Sequence, residues 1–233
     1  MKNTIDRIHK DLETDISGLL NHPFIQNLAD GLYSKEQIKV FGEQYYILSC
    51  AFTEFLILAS SSIKEEKFRV PIIDNIYDEH GRGNYLHSHR ILLIKFLKAI
   101  NAKGVDEINP LPHTSANIYG MKKLCETGTL NEIIGAIGPG CEYFTDTQYE
   151  KIVNSLYTNY NYSKDDLHFF YEHISHDPRH TEDIDSIITE IIKTESDYDE
   201  LLFGAKQAII FETLFWDGLF KTVGKPAGNT VYN

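Results

Sequence analysis

The sequence predicts an all-α protein with a single domain of seven to eight helices. Apolar residues recur with helical periodicity over most of the chain, and no run shows the alternation that is typical of strands. The 233 residues, 42% of them apolar, suffice to bury one full core, and no linker divides them. We therefore expect one helical domain over residues 1–223, followed by a loose polar tail over residues 224–233.

Helix starts and breaks can be placed in order along the chain. Ser34 and Gln37 have the spacing of a capping box, so a long helix should begin there. The segment Asn109–Pro112 should separate two helices. Pro139, between two glycines, should open another helix, because proline is tolerated in a first turn. The predicted helices cover approximately residues 35–60, 68–80, 86–99, 138–157, 167 onwards and 196–223.

Charge and composition exclude several classes of protein. With 22 Lys and Arg against 34 Asp and Glu, the net charge is −12, which argues against the basic surface that nucleic acid requires. The first residues lack the apolar core of a secretory signal, and no apolar stretch approaches the roughly 20 residues that span a bilayer. Three scattered cysteines form neither a disulfide framework nor a CxxC site. We expect a soluble, cytoplasmic protein that binds neither nucleic acid nor membranes.

The histidines cluster, since seven of the ten lie within residues 80–89 and 168–180. On a helix, His173, Asp177 and His180 stand at i, i+4 and i+7 and so share one face. If that face is buried, its polar groups are desolvated without compensation unless a divalent metal binds them. Iron, manganese and zinc all accept such mixed nitrogen and oxygen ligands. An exposed polar face of His–Asp pairs is the alternative.

Further side chains could complete a metal site. Glu79 and Glu142 lie near helix ends, and carboxylates from separate helices that meet a histidine-bearing helix are typical of two-metal sites. Each glutamate taken alone is equally typical of a solvated surface. His176 should lie beside the ligands or at the surface. Pro178 should kink or unwind its helix, because it removes an N–H and clashes with the preceding turn.

Four groups of segments carry recognisable motifs. They are His22-Pro23-Phe24 with Leu32–Gln37 and Gln44–Tyr46; Asp78-Glu79 before Gly81; Glu142-Tyr143 with Lys151-Ile152; and Phe169–His173 with Asp177 and His180. Together they extend over nearly the whole chain and resemble the heme-oxygenase-like diiron oxidase family. This family is related in fold to heme oxygenase, thiaminase II and pyrroloquinoline-quinone synthase. The resemblance implies a heme-oxygenase-like helical bundle.

The resemblance also implies two iron ions, Fe2+ in the reduced form, and O2 as co-substrate. The family places a Leu three residues and a Phe seven residues after one ligand histidine, which His89 satisfies with Leu92 and Phe96 and His87 does not. The implied ligands are therefore Glu79, His89, Glu142, His173, Asp177 and His180, with His176, His87 and Lys151 as neighbours of the ligands.

Two features depart from a regular site or from part of the family. Ten residues separate Glu79 from His89, so the stretch 81–83 must interrupt the helix for both to reach the metals. In the folate-pathway branch, which consumes its own tyrosine to make para-aminobenzoate, a Tyr stands in place of Ile25 and a Lys in place of Ile152. These differences favour an external substrate.

The resemblance implies an O2-activating oxidase that acts on a small amine, amino acid or fatty acid. The reaction would be N-oxygenation, or C–C or C–N cleavage to a nitrile or alkene. The many Tyr and Phe residues favour an amino-acid-derived substrate, including an aromatic one. An external electron donor and a homodimer are further expectations. The alternatives are a thiaminase-II-like hydrolase with Cys141 as nucleophile, a haem protein using His22, and a non-catalytic helical protein that binds metal or a partner.

Overall fold

The computed structural model describes the backbone of residues 2–224 and, within it, the side chains of residues 4–174 and 180–224. This part of the chain contains α-helices and no strand, which confirms the predicted all-α class. There are ten α-helices in it rather than seven to eight, because two are only seven and eight residues long, too short for helical periodicity to register. The helices are α1 (Lys2–Leu20), α2 (Pro23–Ala29), α3 (Lys35–Ser62), α4 (Glu66–Glu79), α5 (His89–Ala99), α6 (Pro112–Thr127), α7 (Leu130–Ile137), α8 (Tyr143–Thr158), α9 (His168–Ile191) and α10 (Glu195–Val223).

Local sequence signals place the long helices correctly. Ser34 Oγ accepts a hydrogen bond from the Gln37 N–H at 3.3 Å, and the Gln37 side chain accepts one from the Ser34 N–H at 2.8 Å. This confirms the capping box that starts α3. The end of α10 at Val223 agrees with the predicted limit, whereas the tail over residues 225–233 lies outside the described residues.

A new helical segment begins at Gly138 with Pro139 in its first turn, as predicted, but its first turn is not α-helical and no loop precedes it. The helix α7 ends at Ile137 and passes directly into a π-helical turn, Gly138–Glu142, which leads into α8. Pro139 has no N–H for the α-helical ladder, and a π turn accommodates the break by adding a residue to one turn. Glu142 is the last residue of this π turn and is buried.

The core lies around α10. This helix packs against α7, α6 and α1, while α3 packs against α4, α5 and α6, and α8 packs against α9. Trp216 of α10 is fully buried, with its ring centroid 5.5 Å from that of Phe24 and 6.2 Å from that of Phe41. By length and composition alone α3 could cross a membrane, a property that it shares with core helices of globular proteins. The helix α9 also contacts α4, α5 and the π turn, so four elements meet at one place.

Candidate metal centre

Glu79, His89 and His173 form a compact cluster. Glu79 Oε1 lies 2.9 Å from His89 Nδ1 and 3.8 Å from His173 Nε2. The candidate ligand atoms of the three residues all lie within 4.8 Å of one another. Ligands bound about 2 Å from a common cation are separated by roughly 3–4 Å, so small side-chain adjustments would let all three bind one ion.

A loop with left-handed backbone brings Glu79 and His89 together. The helix α4 ends at Glu79, and the φ angles of Gly81, Arg82 and Gly83 are 76°, 52° and 87°. The chain then forms a short 3-10 helix, Tyr85–His87, before α5 begins at His89. On an unbroken helix, ten residues would separate the two side chains by about 15 Å, so the interruption is what makes the cluster. The expected break at 81–83 is confirmed.

The same loop separates the two candidate histidines. His89 is partly buried against His173, with ring centroids 4.3 Å apart. His87 is exposed and lines a neighbouring cavity that also touches His89 and His173. The structure therefore brings His89, rather than His87, next to Glu79.

Two more of the implied ligands lie beside this cluster. His180 Nε2 is 3.1 Å from Asp78 Oδ2, and Asp78 in turn accepts a hydrogen bond from Arg82 Nε at 2.6 Å. Glu142 Oε1 accepts a hydrogen bond from Asn75 Nδ2 at 3.1 Å. Neither His180 nor Glu142 belongs to the three-residue cluster, but both line the cavity that Glu79 and His173 also line. Asp177 and His176 lie outside the described side chains. The helix α9 is continuous from His168 to Ile191, so the unwinding expected at Pro178 does not occur.

The two glutamates have opposite electrostatic environments. Burial raises the pKa of Glu79, but His89 and His173 offset it and hold the pKa well below its usual value. Burial also raises the pKa of Glu142. The nearby Glu79 carboxylate raises it further, and His180 and Asn75 lower it only in part. A cation bound beside them would stabilise both carboxylates in their charged form.

Two observations show that the residues fit a metal. The buried Nδ1 of His89 has no hydrogen bond, although it lies 2.9 Å from a carboxylate oxygen. His173 Nδ1–H donates to the carbonyl of Phe169 at 2.9 Å, which turns Nε2 towards Glu79. Imidazole nitrogen and carboxylate oxygen together are a donor set for iron, manganese or zinc.

The cavity beside the cluster has about 90 Å³ of space. A water takes roughly 10–15 Å³ in such a space, so the cavity holds a small molecule equivalent to about six to nine waters. One wall is largely apolar, with Leu48, Phe52, Phe55 and Met121, and the rings of Tyr45 and Tyr149 also face the cavity.

Sequence reasoning missed the other wall of this cavity, which is polar. It contains Asn117 of α6, Gln148 of α8 and Glu212 of α10. Glu212 Oε1 accepts hydrogen bonds from Gln148 Nε2 at 2.7 Å and Trp216 Nε1 at 3.1 Å. No motif marks these residues, because each stands alone within an ordinary helical pattern.

Three other candidates are placed differently from the metal cluster. Lys151, expected beside the ligands, lies on the side of α8 that faces α1 and donates to the carbonyl of Leu20 at 2.9 Å, so that expectation is wrong. Cys141 lines the cavity, and burial together with Glu212 and Glu142 raises the pKa of its thiol well above the usual value. His22 caps α2: its Nδ1 accepts from the Phe24 N–H, and its Nε2 lies 3.3 Å from Asp217.

Fold and site together define an all-helical protein with a largely buried cluster of His and Glu side chains, able to hold a metal, at the junction of several helices. Residues 39–213 match the sequence profile of a family described as iron-containing redox enzymes. The match covers most of the chain, which therefore belongs to this family.

Several known proteins are similar to this chain in sequence or in fold. A 4-aminobenzoate synthase of Chlamydia trachomatis is 23% identical over 201 residues, which is 84% of this chain and 83% of that protein. A CADD-like protein of unknown function from Nostoc punctiforme has a TM-score of 0.81 at 20% identity, covering 95% of this chain and 97% of that one. Heme oxygenase-1 of the cyanobacterium Synechocystis, solved in complex with heme, has a TM-score of 0.71 at 11% identity, covering 95% and 94%. These structural similarities confirm the heme-oxygenase-like fold.

Proposed function

We propose that this protein is an O2-activating non-haem oxidase with a two-iron centre, acting on a small amine or amino acid. The reaction would be N-oxygenation, or C–C or C–N cleavage to a nitrile or alkene. The observation that carries the proposal is the meeting of Glu79, His89 and His173 in a buried cluster of an iron-containing redox enzyme. The residues that would hold the metals are Glu79, His89, Glu142, His173, Asp177 and His180.

The protein's own groups would prepare the centre. When bound, the iron pair supplies the electrons and the Lewis acidity for the reaction with O2. The carbonyl of Phe169 orients His173, and the Asn75 amide holds Glu142. Arg82 and Asp78 hold His180 close to the cavity. Such hydrogen bonds to ligands fix ring orientation and ligand basicity.

The cavity supports a small substrate. Its volume of about 90 Å³ suits a molecule of amino-acid size and is too small for a long fatty chain. Its apolar wall excludes water from the reacting atoms, which strengthens electrostatic interactions there. The rings of Tyr45, Phe52 and Phe55 are compatible with an aromatic side chain on the substrate.

Metal content and O2 uptake test the proposal. We expect about two irons per chain after anaerobic loading with Fe(II), and O2 consumption that a screen of amines and amino acids accelerates. His89→Ala should lose most of the iron, whereas His87→Ala, its exposed neighbour, should keep it. Equal iron content in both variants, or no O2 uptake with any amine or acid, would contradict the proposal. A protein that takes up no iron would instead favour a non-catalytic role.

A second candidate is the formation of 4-aminobenzoate, because three Chlamydia relatives that are 21–23% identical carry that name. Ile25 and Ile152, which replace the Tyr and Lys of that branch, are both fully buried in the core and do not line the cavity. Iron-loaded protein exposed to O2 without added substrate discriminates the two. Release of 4-aminobenzoate with a matching loss of protein mass would favour self-sacrifice and overturn the external substrate.

The hydrolase alternative depends on Cys141. A thiol acts as a nucleophile through its thiolate, and the raised pKa of Cys141 disfavours that form. We expect Cys141→Ser to keep its iron and its O2 uptake. Hydrolysis of thiamine by the wild type and its loss in this variant would instead support the hydrolase.

A further inference from the structure

We propose that Glu212 and Asn117 form the subsite that holds the ammonium group of the substrate. This inference rests on the proposed function for the identity of the ligand as a substrate. The subsite itself is argued from the cavity wall that α6 and α10 provide.

Glu212 is held in place with one oxygen left open. Its Oε1 accepts hydrogen bonds from Gln148 Nε2 at 2.7 Å and from Trp216 Nε1 at 3.1 Å. Within the described part of the chain, no hydrogen bond is found to Oε2. Because Glu212 lines the cavity, a ligand can reach this carboxylate. The two donors fix the orientation of the carboxylate and leave it an acceptor for a further N–H.

Asn117 supplies an independent observation. It is only 3% exposed and lines the same cavity, and its buried Oδ1 has no hydrogen-bond partner. A buried polar atom without a partner is costly, and native structures contain few of them. An N–H of a bound ligand would satisfy it. Glu212 and Asn117 therefore both offer acceptors to one space.

The chemistry of the lining selects a cationic donor. None of the residues that line the cavity is Lys or Arg, and burial raises the pKa of the Glu212 carboxyl, which only the hydrogen bonds from Gln148 and Trp216 oppose. An ammonium group brings the compensating charge and several N–H donors. A carboxylate at this wall would be repelled, and a hydroxyl would bring no charge.

The subsite adjoins the candidate metal centre. Glu212 and Asn117 line the same cavity as the candidate ligands Glu79, Glu142, His173 and His180. A small substrate whose ammonium group is held at Glu212 would therefore share one cavity with the candidate ligands, with its carbon atoms directed away from Glu212. This arrangement is compatible with chemistry at a carbon atom of an amine substrate.

Three probes with one ring and different head groups test the subsite: benzylamine, benzyl alcohol and phenylacetate. Binding is measured by anaerobic calorimetry on both the metal-free and the Fe(II)-loaded protein. A hydrogen bond to a charged group contributes about 1.5–3 kcal/mol, so wild type should bind benzylamine about 10- to 100-fold more tightly than benzyl alcohol. Phenylacetate should bind more weakly than either at the metal-free site.

Glu212→Gln should abolish the preference for the amine, because it keeps an acceptor for Gln148 and Trp216 but removes the charge. Asn117→Ala should weaken benzylamine binding several-fold. It tests the subsite independently if Glu212→Gln does not fold. Met121→Leu, in the apolar lining, should affect all three probes alike. Unchanged benzylamine affinity in folded Glu212→Gln or Asn117→Ala protein would overturn the subsite.

The two proposals fail in different ways. Loss of amine preference in Glu212→Gln in a protein that takes up iron and consumes O2 supports both. Amine binding that depends on Glu212, in a protein that neither holds iron nor consumes O2, supports the ammonium site and overturns the proposed function. Iron loading and O2 uptake with no contribution from Glu212 leave the oxidase standing and overturn the subsite.

Discussion

The crossing of α7 and α10 offers a sharp test of the packing that positions the site. At this crossing, a Cβ on Gly204 would lie 2.0 Å from the carbonyl oxygen of Glu132. A Cβ on Gly135 would lie 2.1 Å from the carbonyl oxygen of Leu201. The two backbones are therefore in direct contact. Because α7 leads into the π turn and α10 carries Glu212, separating them would displace both walls of the cavity.

We expect Gly204→Ala to destabilise the metal-free protein. Overpacking costs about 1–3 kcal/mol, and the upper end applies because backbone cannot rotate away as a side chain can. Alanine returns about 1 kcal/mol through its higher helix propensity. The net loss of about 2 kcal/mol corresponds to a fall in Tm of about 4–8 °C for a protein of this size.

Gly18 provides a matched control. It is exposed within α1, and a Cβ there would have no neighbour within 4 Å. Gly18→Ala should therefore stabilise by about 0.5–1 kcal/mol and raise Tm by about 1–4 °C. Thermal unfolding followed by circular dichroism measures both variants. If Gly204→Ala melts at or above wild type while Gly18→Ala behaves as expected, the backbone contact at this crossing is refuted.

Two further predictions concern the metal centre. The raised pKa of Glu142 means that its ionised form destabilises the metal-free fold, and this cost disappears as pH falls through that pKa. Glu142→Gln, which keeps an acceptor for Asn75, should therefore be more stable than wild type at pH 8 but not near pH 4. It should also bind less iron. Equal unfolding curves of the two proteins across this pH range would contradict the argument. Gly81→Ala should lower iron content, since its φ of 76° is strained for alanine and a Cβ would lie 2.4 Å from the Asn84 carbonyl oxygen. Gly104→Ala, with no neighbour within 4 Å, should keep its iron, and iron retention by both variants would show that the loop does not position His89.

Local signals explain why most of the fold could be predicted. A capping box such as Ser34 with Gln37 acts over one turn, so it can be recognised without knowing what the helix packs against. The short α7 has a capping box too, formed by Thr129 and Glu132, but eight residues show too little periodicity to stand out. The π turn at Pro139 was not predicted for a related reason. Proline favours a helix start locally, and the continuity of α7 with α8 through this turn is not a local signal.

The candidate ligands could be predicted from the sequence where they lie close together along the chain. His173 and His180 lie on one helix, and the order of residues after His89 distinguished it from His87. Glu79 can meet His89 only if the helix is interrupted between them. Gly81 and Gly83 indicated this interruption in the sequence, because glycine readily adopts left-handed backbone. Lys151 shows where such reasoning fails. It is close to Glu142 in sequence, but it lies on a face of α8 from which it donates to the carbonyl of Leu20.

The proposed subsite of Glu212 and Asn117 could not be predicted from the sequence, for a physical reason that also bears on substrate choice. Metal ligands must lie within a few ångströms of each other, and this constraint imposes spacing that a sequence can reveal. Glu212 and Asn117 are constrained only by the packing of α6 against α10, and a single polar residue on a helix resembles a surface residue. Substitutions on these two helices can therefore change the head group that the cavity accepts without disturbing any ligand. We accordingly expect relatives that keep the ligands to differ in substrate mainly at the positions that α6 and α10 present to the cavity.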